Sequence, residues 1–127
     1  LKPIGRLDKE SSGLLLLTND GQLAEQLTHP RYAKQKIYHV ELDSSLMISD
    51  QKKIEQGVLL HDGPSALQLT PQNKGGGKIW TVTMREGRNR QIRRTFEALG
   101  YQVVRLHRTQ FGTYKLDDLP TGSFQEV

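Results

Sequence analysis

The first residues able to do chemistry stand in Gly5-Arg6-Leu7-Asp8-Lys9-Glu10-Ser11-Ser12-Gly13, just ahead of Leu14-Leu15-Leu16-Leu17. A carboxylate acts as nucleophile or base only when it is held rigidly, kept ionised by a cation and turned towards a pocket. The leucine run, closed by Gly13 and Asn19-Asp20-Gly21, reads as a buried strand ending in a turn, which would supply the rigidity for Asp8. The plain alternative is a turn carboxylate bonding the amides of Lys9 to Ser11. Two cations are candidates for its partner. Arg6 is close in sequence but shares the strand side only if the backbone is extended, and Arg93 is distant in sequence.

Arginine is concentrated late in the chain. Seven of the nine lie between Arg85 and Arg108, within a net charge of +4. A planar guanidinium fork suits phosphate, so this clustering favours a nucleic-acid surface over a merely solvated face. Glu86 to Gly100 reads as a loop entering a helix, with Asn89 as N-cap and Gly100 as C-terminal stop. At about 100° per residue, Ile92, Phe96 and Leu99 share one face, Arg90, Arg94 and Glu97 point away, and Arg93 lies on the border. A border arginine is partly buried and should need an anionic partner.

Other constellations are weaker. Tyr38, on an alternating strand, is either core with its hydroxyl at the rim or a flat surface for a nucleobase. His29, His39, His61 and His107 have no ligand spacing and the chain has no cysteine, so no metal site is expected. Ser11 and Ser12 lack a nucleophile elbow. Lys74-Gly75-Gly76-Gly77-Lys78 lacks the ending of a phosphate-binding loop and reads as a hairpin connection. Asp20 and Asp62 each precede glycine and read as turn formers. Glu10 lies close to Asp8, but a glycosidase pair needs a spatial placement that spacing does not give.

The elements that must position these residues follow from periodicity. A short helix capped near Asp20 carries Leu23, Ala24 and Leu27 inward and ends at His29-Pro30. Lys36 to Leu42 alternates, with Tyr38, Val40 and Leu42 on one face. Ser49 caps a helix through Gln56, with Gly57 as its stop. Val58 to Leu60, Ala66 to Thr70, Ile79 to Met84 and Val103 to His107 read as strands, and Phe111 to Leu116 as an edge strand before Leu119-Pro120-Thr121-Gly122. Helices and strands so interspersed, with connections too short for parallel crossovers, predict one α+β domain over 1–127 on a mixed, largely antiparallel sheet flanked by short helices. No apolar run reaches membrane-spanning length, and the mean hydropathy is -0.61. The lack of cysteine excludes disulfides and thiolate catalysis and fits a cytoplasmic protein.

Four segments together resemble the pseudouridine synthases. Gly5 to Gly21 is similar to their catalytic motif, Lys36-Ile37-Tyr38-His39-Val40 to their tyrosine motif, Glu86 to Arg94 to their arginine motif, and Val104-Arg105-Leu106-His107-Arg108 to the last. Gly-Arg-Asn-Arg-Gln-Ile-Arg-Arg resembles the RsuA/RluB/RluE/RluF branch, which modifies ribosomal RNA. The resemblance implies Asp8 as catalytic aspartate, Arg93 as its ion-pair partner and Tyr38 as the residue stacking on uracil. It further implies Arg6 as support, Leu106 as pocket wall, and Arg88, Arg90 and Arg94 as holders of RNA phosphates. The chemistry it implies breaks the uridine N1–C1′ bond, turns the bound uracil and rejoins it through C5. No oxidation occurs, so neither a metal nor a redox cofactor is required. Asp8 would either attack the nucleoside or abstract a proton.

Two departures from the family pattern stand out. Thr95 replaces a larger apolar residue, which would loosen packing beside Phe96. The family's N-terminal S4-type domain and Lys-Pro motif find no counterpart before Leu1, which reads as an incomplete catalytic domain with a sheet edge exposed. The complete protein is expected to be a monomer acting on ribosomal RNA, with no membrane partner. Its ending, Phe111 to Leu119, leans towards an RluE-like group and large-subunit RNA. A non-catalytic RNA-binding module using the arginine helix alone is the competing reading, and a glycosidase-like hydrolase with a second carboxylate beside Asp8 a third.

Overall fold

The computed structural model describes residues 1–29, 34–116 and 123–124. Strands β1 (Lys2–Ile4), β2 (Ser12–Gly13) and β3 (Leu16–Thr18) precede helix α1 (Gly21–Thr28), and β4 (Lys36–Leu42) precedes α2 (Ile48–Gln56). Then come β5 (Val58–Leu60), β6 (Gly63–Ser65), β7 (Gln68–Pro71) and β8 (Ile79–Met84), helix α3 (Gln91–Glu97), β9 (Val103–Phe111) and β10 (Tyr114–Lys115). The main sheet runs β10-β9-β4-β8-β7, with β2 also paired to β9. Only the β2–β9 pairing is parallel among the described strands. This is the α+β, largely antiparallel architecture expected from the sequence.

Alternation places the core. Val40 and Leu42 of β4, Val82 and Met84 of β8 and Leu106 of β9 are buried against Ile92 and Phe96 of α3. A smaller cluster joins Ile4, Leu27 and Phe111, with Leu14, Leu16 and Leu23 packed on it. Phe111 thereby couples the β1–β3 ribbon and α1 to the end of β9.

The four leucines do not form one strand. β2 ends at Gly13 on β9, and the chain then crosses to pair β3 with β1. Leu14 and Leu16 turn inward while Leu15 and Leu17 are 43% and 54% exposed, so a two-residue period hides within a uniform apolar run.

Boundaries moved elsewhere for local reasons. Asp20 caps α1 as expected, accepting from the amides of Gln22 and Leu23. Met47 rather than Ser49 opens α2, because the Tyr101 hydroxyl accepts the Met47 N–H and donates to Asp50, fixing the helix entry from outside. β6 arises as the return arm of the Asp62-Gly63 turn, and β9 runs on to Phe111 because Thr109 to Phe111 and β10 close a hairpin. Residues 30–33, 117–122 and 125–127 lie outside the described residues, and with them Pro30 and the Leu119-Pro120-Thr121-Gly122 segment.

Candidate active site

Two loops face each other across a cavity of about 640 Å³. One runs from Gly5 to Ser11 ahead of β2, and the other from Arg85 to Arg90 ahead of α3. The floor is the β4–β9 pairing, where Tyr38 stands opposite Arg108 and Lys36 opposite Phe111. Arg6, Asp8, Tyr38, Arg88, Arg90 and Leu106 all line this space. Arg93 and Arg94 do not.

Asp8 is anchored from several directions. Its carbonyl accepts from Ser11 N at 2.9 Å, closing a turn. The loop then enters β2, where Leu14 N donates to Arg108 O and Arg108 Nε returns to Leu14 O, both at 2.8 Å. The side chain of Asp8 is 21% exposed, with Oδ2 3.8 Å from Arg90 Nη1. Arg90 Nη2 also reaches Glu10 Oε2 at 3.4 Å. Glu10 is mostly exposed and forms no part of the cavity wall, so it offers no second carboxylate across from Asp8.

The expected Asp8–Arg93 ion pair is not what this geometry shows. Arg93 is 6% exposed, as a border residue should be, but it donates to Glu10 O at 2.9 Å and Val103 O at 3.1 Å. Two main-chain carbonyls take the place of the expected acid. The reason lies one turn earlier. Arg90, not Asn89, opens α3, and its left-handed backbone (φ 50°) is the only such non-glycine conformation among the described residues. A residue held there costs about 1–3 kcal/mol unless its surroundings enforce it. Here the enforcement coincides with ion pairs to Asp8 and Glu10. Asn89 instead accepts from Arg6 at 3.4 Å, which links the two loops.

Arg88 and Arg94 leave the core as expected, yet neither is left open for phosphate. Arg88 donates to Asp62 Oδ1, to the carbonyls of Asp62, Gly63 and Pro64, and to Glu86 Oε2. Arg94 clasps both Asp62 oxygens at 2.9 and 3.0 Å and also reaches Asn89 O. The two arginines clamp the β5–β6 turn against the start of α3. The helical wheel gives their direction, but the hairpin that meets them comes from nearly thirty residues earlier.

The clamp has a pH signature. The Arg94 hydrogen bonds, reinforced by the charges of Arg94 and Arg88, hold the Asp62 carboxyl at about 2. A depressed carboxylate contributes stability above its ordinary value of 3.8, and that contribution disappears as pH falls from there to about 2. The gap in Tm between the parent protein and Asp62→Asn should therefore be constant near neutrality and close across that window in melts followed by circular dichroism. A gap of equal size at the acid end would mean that the Asp62 charge contributes nothing.

Beneath the clamp lies a closed ring of buried polar bonds. Gln91 Nε2 donates to Ser65 Oγ at 3.0 Å, Ser65 Oγ meets Thr95 Oγ1 at 2.8 Å, and Thr95 Oγ1 donates back to Gln91 O at 2.6 Å. Thr95 and Ser65 are both fully buried. Thr95 thus does not loosen the packing beside Phe96; its hydroxyl joins α3 to β6. Thr95→Val keeps the shape and strands the Ser65 hydroxyl, which should cost about 1–2 kcal/mol in urea denaturation. An unchanged midpoint would deny that ring a structural role.

Lys36, Arg108 and Phe111 are site residues that sequence reasoning missed. Lys36 shares a face with Tyr38 at a two-residue spacing, a signal that was available. Lys36 Nζ lies 5.5 Å and Arg108 Cζ 5.2 Å from the Phe111 ring centre. Burial, and then the neighbouring Arg108 charge, pull the Lys36 ammonium below its ordinary value. Ser12 Oγ and His107 Nδ1 are 2.7 Å apart, but neither lines the cavity, and their contact fastens β2 to β9. No cluster of His, Asp and Glu able to hold a metal occurs among the described residues.

The chain that carries this site is similar to known proteins. Residues 1–98 match the family model described as RNA pseudouridylate synthase. The chain belongs to the RNA pseudouridylate synthase family. It is 41% identical over 129 residues to the ribosomal large subunit pseudouridine synthase B of Bacillus subtilis, covering 98% of this chain and 53% of that protein. Synthase B of Yersinia pestis is 41% identical over 127 residues (98% of this chain, 40% of the relative). That of Escherichia coli K12 is 39% identical over the same length (98% and 44%). A crystal structure of a pseudouridylate synthase superposes with a TM-score of 0.83 at 34% identity, covering 91% of this chain and 50% of the other. The chain thus spans about half the length of these pseudouridylate synthase relatives.

Proposed function

We propose that this chain catalyses the isomerisation of uridine to pseudouridine in large-subunit ribosomal RNA. The observation that carries this reading is Asp8, fixed on a doubly anchored loop and turned into a cavity whose floor is Tyr38. Seven lysines and arginines line that cavity against two carboxylates, Asp8 and Glu86, a balance suited to a polyanion. A uridine reaches the carboxylate only by leaving its stack, and Tyr38 offers the flat surface to receive it. Asp8 then attacks the nucleoside or takes a proton. Arg90 pairs with the carboxylate at 3.8 Å, while Arg93 positions the Asp8 loop through the Glu10 carbonyl. Leu106 closes the pocket wall and Arg6 braces the two loops through Asn89.

The large-subunit assignment rests on the names of the relatives and agrees with the direction in which the chain's ending leans. Those relatives bear the B designation, which we prefer to an RluE-like group for this chain. A cytoplasmic setting accords with an RNA substrate. A pure binding module is disfavoured by the placement of Asp8, since phosphate binding requires arginines and no carboxylate aimed into their midst.

The test is direct. Unmodified large- and small-subunit ribosomal RNA are incubated with the protein, and pseudouridine is mapped along each. A new pseudouridine at a single large-subunit position is the expected result. Retention of RNA with no product on either would support the binding module instead.

A further inference from the structure

Lys36 and Arg108 are two cations at one end of the cavity floor, and nothing among the described residues neutralises them. Neither has a carboxylate within ion-pair distance among the described residues. Lys36 donates to the Glu86 carbonyl at 3.3 Å, while the Glu86 carboxylate is committed to Arg88 and Gln91. Arg108 is 2% exposed, and its Nη2 has no hydrogen-bond partner among the described residues. Leaving a buried donor without a partner is costly, more so when it is charged, so an unfilled guanidinium nitrogen beside a lysine asks for an anion.

The local backbone makes room for such a ligand. Gly87 wraps the Lys36 head closely, and a Cβ there would lie 2.7 Å from Nζ. Phe111 is the shared platform under both cations, and Tyr38 is the cross-strand neighbour of Arg108. An anion held there would lie next to any base stacked on Tyr38.

Resting on the function proposed above, we infer that Lys36 and Arg108 form an anion subsite that takes a phosphodiester of the RNA strand whose uridine enters the cavity. A neutral uracil carbonyl would satisfy a donor but would not relieve two adjacent positive charges. A phosphodiester does both. The subsite fixes the backbone while the base turns, which a reaction that detaches and rotates the uracil requires.

The test reads binding without turnover. Fluorescently labelled oligouridylate is titrated by anisotropy at several salt concentrations against the parent protein, Lys36→Gln, Lys36→Arg, Gly87→Ala and Lys74→Gln. Lys74, exposed on the β7–β8 connection, is the control. Lys36→Gln should weaken binding about tenfold at low salt and reduce the salt slope by roughly 0.7, the share of one single-strand phosphate. Lys36→Arg should restore both. Gly87→Ala changes no charge and tolerates alanine's backbone, yet it displaces the ammonium and should weaken binding about threefold. Near-ultraviolet circular dichroism of Trp80 checks that each variant is folded. On ribosomal RNA, Lys36→Gln should raise KM and also lower kcat, because the strand is no longer fixed while the uracil turns.

Equal behaviour of Lys36→Gln and Lys74→Gln overturns the subsite. So does weaker binding with an unchanged slope, which would place the lysine on a base rather than a phosphate. Absence of pseudouridine from the parent protein would overturn the proposed activity and leave the slope difference to decide the anion subsite by itself.

Discussion

Replacing Asp8 with asparagine is expected to lower pseudouridine formation by at least about 1,000-fold while RNA binding stays within about twofold. Asparagine has the same shape and can keep the loop geometry, because the bonds that place the loop are made by main-chain atoms. Ser11 N donates to Asp8 O, and Arg93 donates to Glu10 O. What asparagine lacks is the negative charge and the lone pair that either attacks the nucleoside or accepts a proton. The substitution weakens only the 3.8 Å pairing with Arg90 across a partly open cavity, an interaction of at most about 1 kcal/mol. Stability should therefore change little, and Tm serves as the internal control. Product mapped from Asp8→Asn at more than about one hundredth of the parent rate would remove Asp8 from the chemistry.

A parallel substitution separates the two arginines. If Arg90 pairs with the carboxylate and Arg93 only positions its loop, Arg90→Gln should lower turnover with Tm nearly unchanged. Arg93→Lys should instead lower Tm, because a single ammonium cannot reach both Glu10 O and Val103 O in a fork geometry.

What the sequence made legible here was direction more than partnership. Periodicity placed Tyr38 with Val40 and Leu42 and set Arg93 at the edge of the buried face. Both follow from positions two or three to four residues apart, where geometry is local. The partner of Arg93 is not local. It depends on where the Asp8 loop passes over α3, more than eighty residues away in the chain, and on a left-handed turn at Arg90 that no propensity assigns to arginine. Arg88 and Arg94 show the same limit: the wheel sends them outward, but only the folded β5–β6 turn shows that Asp62 waits there. The leucine run misled for the opposite reason. Four identical residues carry no alternation to read, so the break between β2 and β3 became visible only through pairing with β9 and β1. Lys36 was readable as Tyr38's neighbour on one strand face, whereas its juxtaposition with Arg108 is a cross-strand fact.

That break makes Gly13 the position where a one-carbon change should cost most. Its φ of 113° lies where side chains rarely go, and a Cβ added there would sit 2.2 Å from Arg108 O and 2.5 Å from Arg108 N. Both obstacles are backbone atoms of a central strand, which cannot swing aside as a side-chain tip can. Gly13→Ala must therefore part β2 from β9, breaking the Leu14 N to Arg108 O bond and displacing Arg108 Nε from Leu14 O. Strain and broken pairing together predict a destabilisation of at least about 3 kcal/mol, read as a shifted denaturation midpoint at constant m-value. Turnover should fall even where the protein remains folded, because the same pairing holds the loop that carries Asp8. Gly87→Ala meets only the flexible end of Lys36 and should leave the midpoint nearly unchanged. If Gly13→Ala were as mild as Gly87→Ala, the parallel pairing of β2 with β9 would not be what fixes Asp8, and the rigidity of the site would have to come from Arg93 alone.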